Sequence, residues 1–106
     1  MKTVYRPQFY LDYETVLTYL AREASAATAL RWEDGLMATL ALLAEHPRLG
    51  RRRSDLQPDG LRSLPVNEFP KYLLFYRWDE AEDLLEVFGV IHGAMNLPAL
   101  FGCGTT

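Results

Sequence analysis

The chain has 106 residues, 49% of them hydrophobic and 24% charged, which suits one domain with a modest core. A formal net charge of −3 and a pI near 5.3 exclude a general polycation, so any nucleic-acid role needs a local patch. The single Cys103 excludes an internal disulfide framework and a zinc site built on cysteines.

Lys2 to Arg6 alternates around Val4 and Tyr5 and reads as a short first strand, closed by Pro7, where a helix can begin. Phe9, Tyr13, Val16, Leu17 and Leu20 recur at helical spacing, which predicts a first helix to about Glu23 with these side chains on one face. Ser25 is the predicted N-cap of a second helix carrying Ala29, Trp32, Leu36, Leu40 and Leu43 inward, with Pro47 and Gly50 ending it. Gly35 inside that helix costs about 1 kcal/mol against Ala unless close packing compensates. Leu61 to Val66, Tyr72 to Trp78 and Leu84 to Ile91 then read as three antiparallel strands, with Asp79, Glu80, Glu82 and Asp83 in a solvated connection. The expected fold is α+β: a small antiparallel sheet with a helical hairpin on one face, in the order βααβββ. Residues 1–101 are expected to form one domain and residues 102–106 a flexible tail.

Residues 1–7 lack the apolar core and cleavage site of a secretory signal, and no stretch approaches the roughly 20 apolar residues of a membrane span. A cytoplasmic location with no membrane partner is therefore expected. His46, His92 and the scattered acids lack metal-ligand spacing, so no metal or other cofactor is expected.

Several phrases carry a family resemblance. Asp12-Tyr13 and Tyr19-Leu20, the stop Leu42-Leu43-Ala44-Glu45-His46-Pro47-Arg48-Leu49-Gly50, Leu61-Arg62-Ser63-Leu64-Pro65-Val66, Leu74-Phe75-Tyr76-Arg77 and Ile91-His92-Gly93-Ala94 together resemble the RelE/ParE toxin superfamily, most closely its ParE, or plasmid-stabilisation, branch. The resemblance implies the toxin of a type II toxin–antitoxin pair, held inactive by a cognate antitoxin. ParE-like members are thought to poison DNA gyrase by binding it, whereas RelE-like members cleave messenger RNA on the ribosome. Fold alone does not choose between them.

Metal-independent RNA cleavage needs groups that activate the 2′-hydroxyl, stabilise the phosphorane and protonate the leaving oxygen. RelE-like enzymes resembling this chain use lysines and arginines on the sheet and an aromatic hydroxyl near the C-terminus. Here Arg62, Arg77 and His92 are the catalytic candidates, but Met95 to Phe101 contains no Tyr, Lys or Arg. Gly89 and Met95 stand where relatives often carry Arg. The pattern favours binding over cleavage, with the mRNA endonuclease as the alternative.

Arg48, Arg51, Arg52 and Arg53 form the densest positive run and are candidates to meet an acidic antitoxin segment, with a solvated post-helix loop as the plainer reading. Arg62 and Arg77 on a common face would bind phosphate or carboxylate, while pairing with Glu68 or Glu86 would make them surface ion pairs. His92 is of the residue type that serves as acid or base, and a structural hydrogen bond at a strand end is its expected role. Tyr72, Phe75, Tyr76 and Trp78 are expected to split in pairs between the sheet faces, with the pair away from the helices forming an exposed partner patch. Tyr76 is assigned mainly to packing, and together with Arg62, Arg77 and His92 it joins the arginine run among the candidates to meet a target or the antitoxin. An exposed edge strand would suit either antitoxin augmentation or self-association.

Overall fold

A computed structural model describes residues 1–93. The tail at 102–106, the Met95–Phe101 stretch and Cys103 lie outside the described residues. The order is β1 (Lys2–Tyr5), α1 (Pro7–Glu23), α2 (Ala26–Glu45), β2 (Arg51–Arg52), β3 (Arg62–Val66), β4 (Phe69–Asp79) and β5 (Leu84–His92). No helix among the described residues is long and apolar enough to cross a membrane.

Local chemistry sets the helix ends where the sequence places them. Pro7 opens α1, where its missing N–H is no loss. The Ser25 hydroxyl accepts from the Thr28 N–H at 3.0 Å and caps α2. Ser25→Ala is expected to cost about 1 kcal/mol in urea unfolding, the usual loss of an N-cap. The two helices lie against one another, with the Tyr13 hydroxyl of α1 donating to the Glu33 carboxylate of α2. That bond, ahead of burial, pushes the Tyr13 hydroxyl up to about 12.

The five strands form one sheet in the order β1-β5-β4-β3-β2. The last three strands pair antiparallel as expected, while β1 joins β5 in parallel. A two-residue strand, Arg51–Arg52, is added at the far edge where the sequence reads as loop. Phe9, Val16 and Leu20 from α1, Ala29, Trp32, Leu36 and Leu43 from α2, and Leu74, Tyr76, Leu85, Val87 and Val90 from the sheet fill the core between helices and strands.

Between β4 and β5 the register moves from Tyr76↔Val87 to Phe75↔Gly89, one step on β4 against two on β5. Phe88 is the extra residue of this bulge, so the inward set of β5 changes from odd to even positions. Val87 and Val90 both reach the helix-side core, while Phe88 and Ile91 both serve the opposite face.

The even split of the β4 aromatics does not occur. Tyr72, Tyr76 and Trp78 share the helix face and only Phe75 points the other way, because 72, 76 and 78 have the same parity. Nor is the Phe75 side an open aromatic patch. The segment from Arg53 to Leu61 crosses it, and Leu56, Leu61, Phe75 and Ile91 make a second small core there. This strap is tied back by the Arg53 N–H to the Leu61 carbonyl at 2.8 Å.

Candidate functional site

The arginine run after α2 divides into different environments. Arg48 pairs with Glu80 and lies over the Trp78 ring, 5.2 Å from its centroid. Arg51 and Arg52 are exposed on β2. Arg53 departs from the expected basic rim: it is only 7% exposed. Its guanidinium donates to both Asp55 oxygens, to the Ser63 hydroxyl, and lies over Phe75. The Arg53 bonds hold the Asp55 carboxyl below its ordinary range.

Arg62 and Arg77 do not share a face. Arg62 lies opposite Tyr76 in the ladder, on the helix side, and its Nη1 donates to the Arg48 and Gly50 carbonyls at 3.1 and 2.9 Å. Arg77 lies opposite Glu86 on the other side and donates to its Oε1 at 2.7 Å. The second Glu86 oxygen accepts from Arg6 at 3.2 Å. Both guanidiniums sit over Phe88, 5.3 and 5.5 Å from its centroid. The ion-pair reading of Arg77 with Glu86 is therefore what the structure contains.

Tyr76 is fully buried, and its hydroxyl accepts from the Gly50 N–H at 2.7 Å. Burial pushes this hydroxyl above its ordinary value, with the Gly50 N–H and the nearby Arg62 charge opposing. It serves as an anchor for the rim: with Arg62 bonded to the carbonyl of the same glycine, both backbone groups of Gly50 are held. A Cβ on Gly50 would lie 2.5 Å from the Tyr76 oxygen, which is why glycine stands there.

At the other end of the sheet, α1 and the start of β4 enclose a groove of about 730 Å³. Val16, Tyr19, Phe69, Tyr72 and Ile91 give it an apolar lining, with Asp12, Glu68, Lys71 and His92 among the polar groups. The His92 ring meets Tyr72 edge-on at 5.2 Å. Asp12 enters here as a residue to which sequence reading gave no role. Its Oδ2 accepts from the Val90 N–H at 3.2 Å, on the part of β5 beyond the last β1 partner.

Burial raises the Asp12 carboxyl above its ordinary 3.8, with the Gln8 and Val90 donors opposing. A raised carboxyl means that the folded chain holds the proton more tightly than the unfolded one. Stability from this group is thus present in acid and lost as pH rises through the folded value. Asp12→Asn keeps an oxygen acceptor without the charge, so its melting temperature is expected to exceed the parent's at neutral pH. The difference should shrink as pH falls through the raised folded value, where the parent carboxyl protonates.

With this geometry in place, comparison with known proteins is informative. The family described as "ParE toxin of type II toxin-antitoxin system, parDE" matches residues 4–97. The chain belongs to the ParE toxin family. Among solved structures, this ParE-family chain is similar to the chromosomal ParDE toxin–antitoxin system of P. aeruginosa, with TM-score 0.69 and 12% identity, covering 87% of this chain and 95% of that one. It is also similar to the intact E. coli RelBE toxin–antitoxin complex, with TM-score 0.56 and 13% identity, covering 86% and 94%. At such identities the likeness is one of fold. Comparison with curated protein sequences gives no match.

Proposed function

We propose that this ParE-family chain is a toxin that acts by binding a protein, with DNA gyrase as its target, and that a cognate antitoxin neutralises it. The observation that carries the choice of binding over cleavage is the disposition of its arginines and tyrosine. A phosphoryl-transfer site needs several cations converging on one substrate position. Here Arg62 is spent on backbone carbonyls on one face and Arg77 on Glu86 on the other. The Tyr76 hydroxyl, buried against Gly50, is out of reach of a substrate.

The surface supports a protein partner. Tyr10, Leu11, Tyr19, Leu30, Met37 and Leu42 are large apolar side chains exposed on the helical hairpin. Exposed side chains of this kind suit a surface that a partner covers. Arg51 and Arg52 add exposed positive charge at the far edge, suited to acidic side chains of the antitoxin.

The test supplies the purified full-length chain to gyrase in a supercoiling assay and, separately, to translating ribosomes. Loss of supercoiling with intact messenger RNA is the expected result. Site-specific cleavage abolished by Arg62→Ala or Arg77→Ala, with gyrase unaffected, would overturn the proposal in favour of the endonuclease.

A further inference from the structure

Six aromatic rings run in one line from solvent into the core. Tyr10 of α1 lies 6.1 Å from Tyr5 of β1, Tyr5 5.1 Å from Phe9, and Phe9 6.1 Å from Tyr13. Tyr13 in turn lies 6.1 Å from Trp32 of α2, and Trp32 5.9 Å from Tyr72 of β4. Every step is within the range of ring-to-ring contact. The line begins at a ring that is 55% exposed and passes through Trp32, which is fully buried. Packing alone explains large side chains at these places. It does not explain why all but Phe9 are tyrosine or tryptophan, the aromatic rings most easily stripped of an electron.

Where an oxidised ring comes to rest depends on its proton. Taking one electron from a phenol or an indole makes its O–H or N–H strongly acidic, so the oxidised form settles where a base stands ready. Trp32 lacks one: its buried Nε1 has no acceptor among the described residues. The Tyr76 hydroxyl lies against the Gly50 N–H, itself a donor. Tyr13 differs. Its hydroxyl donates to the Glu33 carboxylate across the helix pair, and among the described residues no other tyrosine hydroxyl is bonded to a carboxylate. Tyr13 and Glu33 are both half-buried, which shields a radical there from the couplings open to an exposed ring.

We propose that Tyr13 and Glu33 form a proton-coupled redox site, on which a one-electron oxidant of the peroxyl-radical class that meets the ring line leaves its oxidising equivalent. The electron travels outward along Tyr13, Phe9, Tyr5 and Tyr10 to the oxidant. The Tyr13 O–H bond breaks, its proton forms a new O–H bond on a Glu33 oxygen, and Tyr13 becomes a neutral phenoxyl radical. The peroxyl radical, one electron richer, takes a proton from water and leaves as a hydroperoxide. A thiolate reverses the step: one electron returns to Tyr13, the Glu33 proton returns to the phenoxyl oxygen, and the thiolate is left as a thiyl radical. The site thereby diverts oxidation from Tyr10 and Tyr19, whose exposed rings would otherwise couple into dityrosine. The toxin reading plays no part in it.

The test uses the full chain with photogenerated tris(bipyridine)ruthenium(III) as the oxidant. Freeze-quenched electron paramagnetic resonance reads the radical, and mass spectrometry reads dityrosine. The parent is expected to give a tyrosyl signal with little dityrosine. Tyr13→Phe keeps the ring and removes the O–H, and should lower the signal at least ~10-fold, because the carboxylate-assisted route is lost, while raising dityrosine at Tyr10. Glu33→Gln keeps an oxygen that accepts the hydrogen bond but is no base. It should slow the radical's appearance about 100-fold, the low end for a positioned base, and it serves alone if Tyr13→Phe does not fold. Tyr19→Phe, outside the line, is the control and should leave the signal unchanged. A parental signal from Tyr13→Phe, or a parental rate from Glu33→Gln, overturns the proposal. So does dityrosine as the main product of the parent, or loss of the signal in Tyr19→Phe, either of which would put the radical on the surface rings.

Discussion

Tyr76→Ala is expected to lower the unfolding free energy by about 3–5 kcal/mol, the usual range for truncating a buried aromatic side chain. Tyr76→Phe is expected to cost about 1–3 kcal/mol, since it keeps the ring but leaves the Gly50 N–H without an acceptor. Both figures follow from one position: a fully buried ring among the helix-side core residues, with its oxygen 2.7 Å from a backbone donor. The Phe variant isolates the anchor. Arg62 still holds the Gly50 carbonyl, so the rim should loosen rather than detach, with faster amide exchange at Gly50, Arg51 and Arg52. Urea unfolding and exchange measurements read the two effects separately. A Phe variant with parental stability and rim protection but no toxicity would move Tyr76 from anchoring to chemistry.

What was legible in the sequence is local. Pro7 and Ser25 mark helix starts through backbone chemistry within a few residues, and Phe9, Val16 and Leu20 share a face because the helix period is fixed. What was not legible is long-range. Arg51 and Arg52 become a strand only because Arg62 and Ser63 lie beside them, and two arginines have no strand pattern of their own. The parallel pairing of β1 depends on β5, near the other end of the described chain, at Lys2↔Leu84. The bulge at Phe88 leaves no mark in composition, yet it decides which of Phe88, Gly89 and Val90 face the helices.

The site residues show the same division. Alternation along β4 correctly makes residues of like parity share a face, but expecting two aromatics on each side overlooked that 72, 76 and 78 are all even. Four neighbouring arginines look alike in sequence and end in four settings: an ion pair over Trp78, two exposed edge positions on alternate sides of a strand, and a buried latch on Asp55. Arg53 is buried because the strap must cross Phe75, which requires Leu56 and Leu61 to dock and brings Arg53 onto the same ring. Charge runs predict that cations are present. Their availability depends on which carboxylates and carbonyls the fold delivers.

Gly35→Ala is expected to destabilise the chain by about 1–3 kcal/mol, the range for overpacking a tight contact. At an ordinary helical site the same change would gain about 1 kcal/mol, because Ala has the better helix propensity. The sign reverses because α2 passes directly over the turn between β3 and β4. A Cβ at Gly35 would run into the Asn67 backbone carbonyl and touch Val66. That turn cannot recede cheaply. The Thr39 hydroxyl, bonded to the Gly35 carbonyl at 2.8 Å, also accepts from the Asn67 N–H at 2.9 Å, so helix and turn are pinned at the point of closest approach. Ala41→Gly, on the exposed side of the same helix, is the control and should lose about 1 kcal/mol by propensity alone. The turn continues into Glu68, Phe69 and Pro70, which line the groove beside α1, so displacing it also moves a wall of that groove. Gly35→Ala should therefore also shift the amide signals of Glu68, Phe69 and Lys71 while Ala41→Gly leaves them in place, measured at a temperature where both variants are folded. A stabilised Gly35→Ala chain would mean that α2 and the turn are not in contact, and would remove the reason for glycine inside this helix.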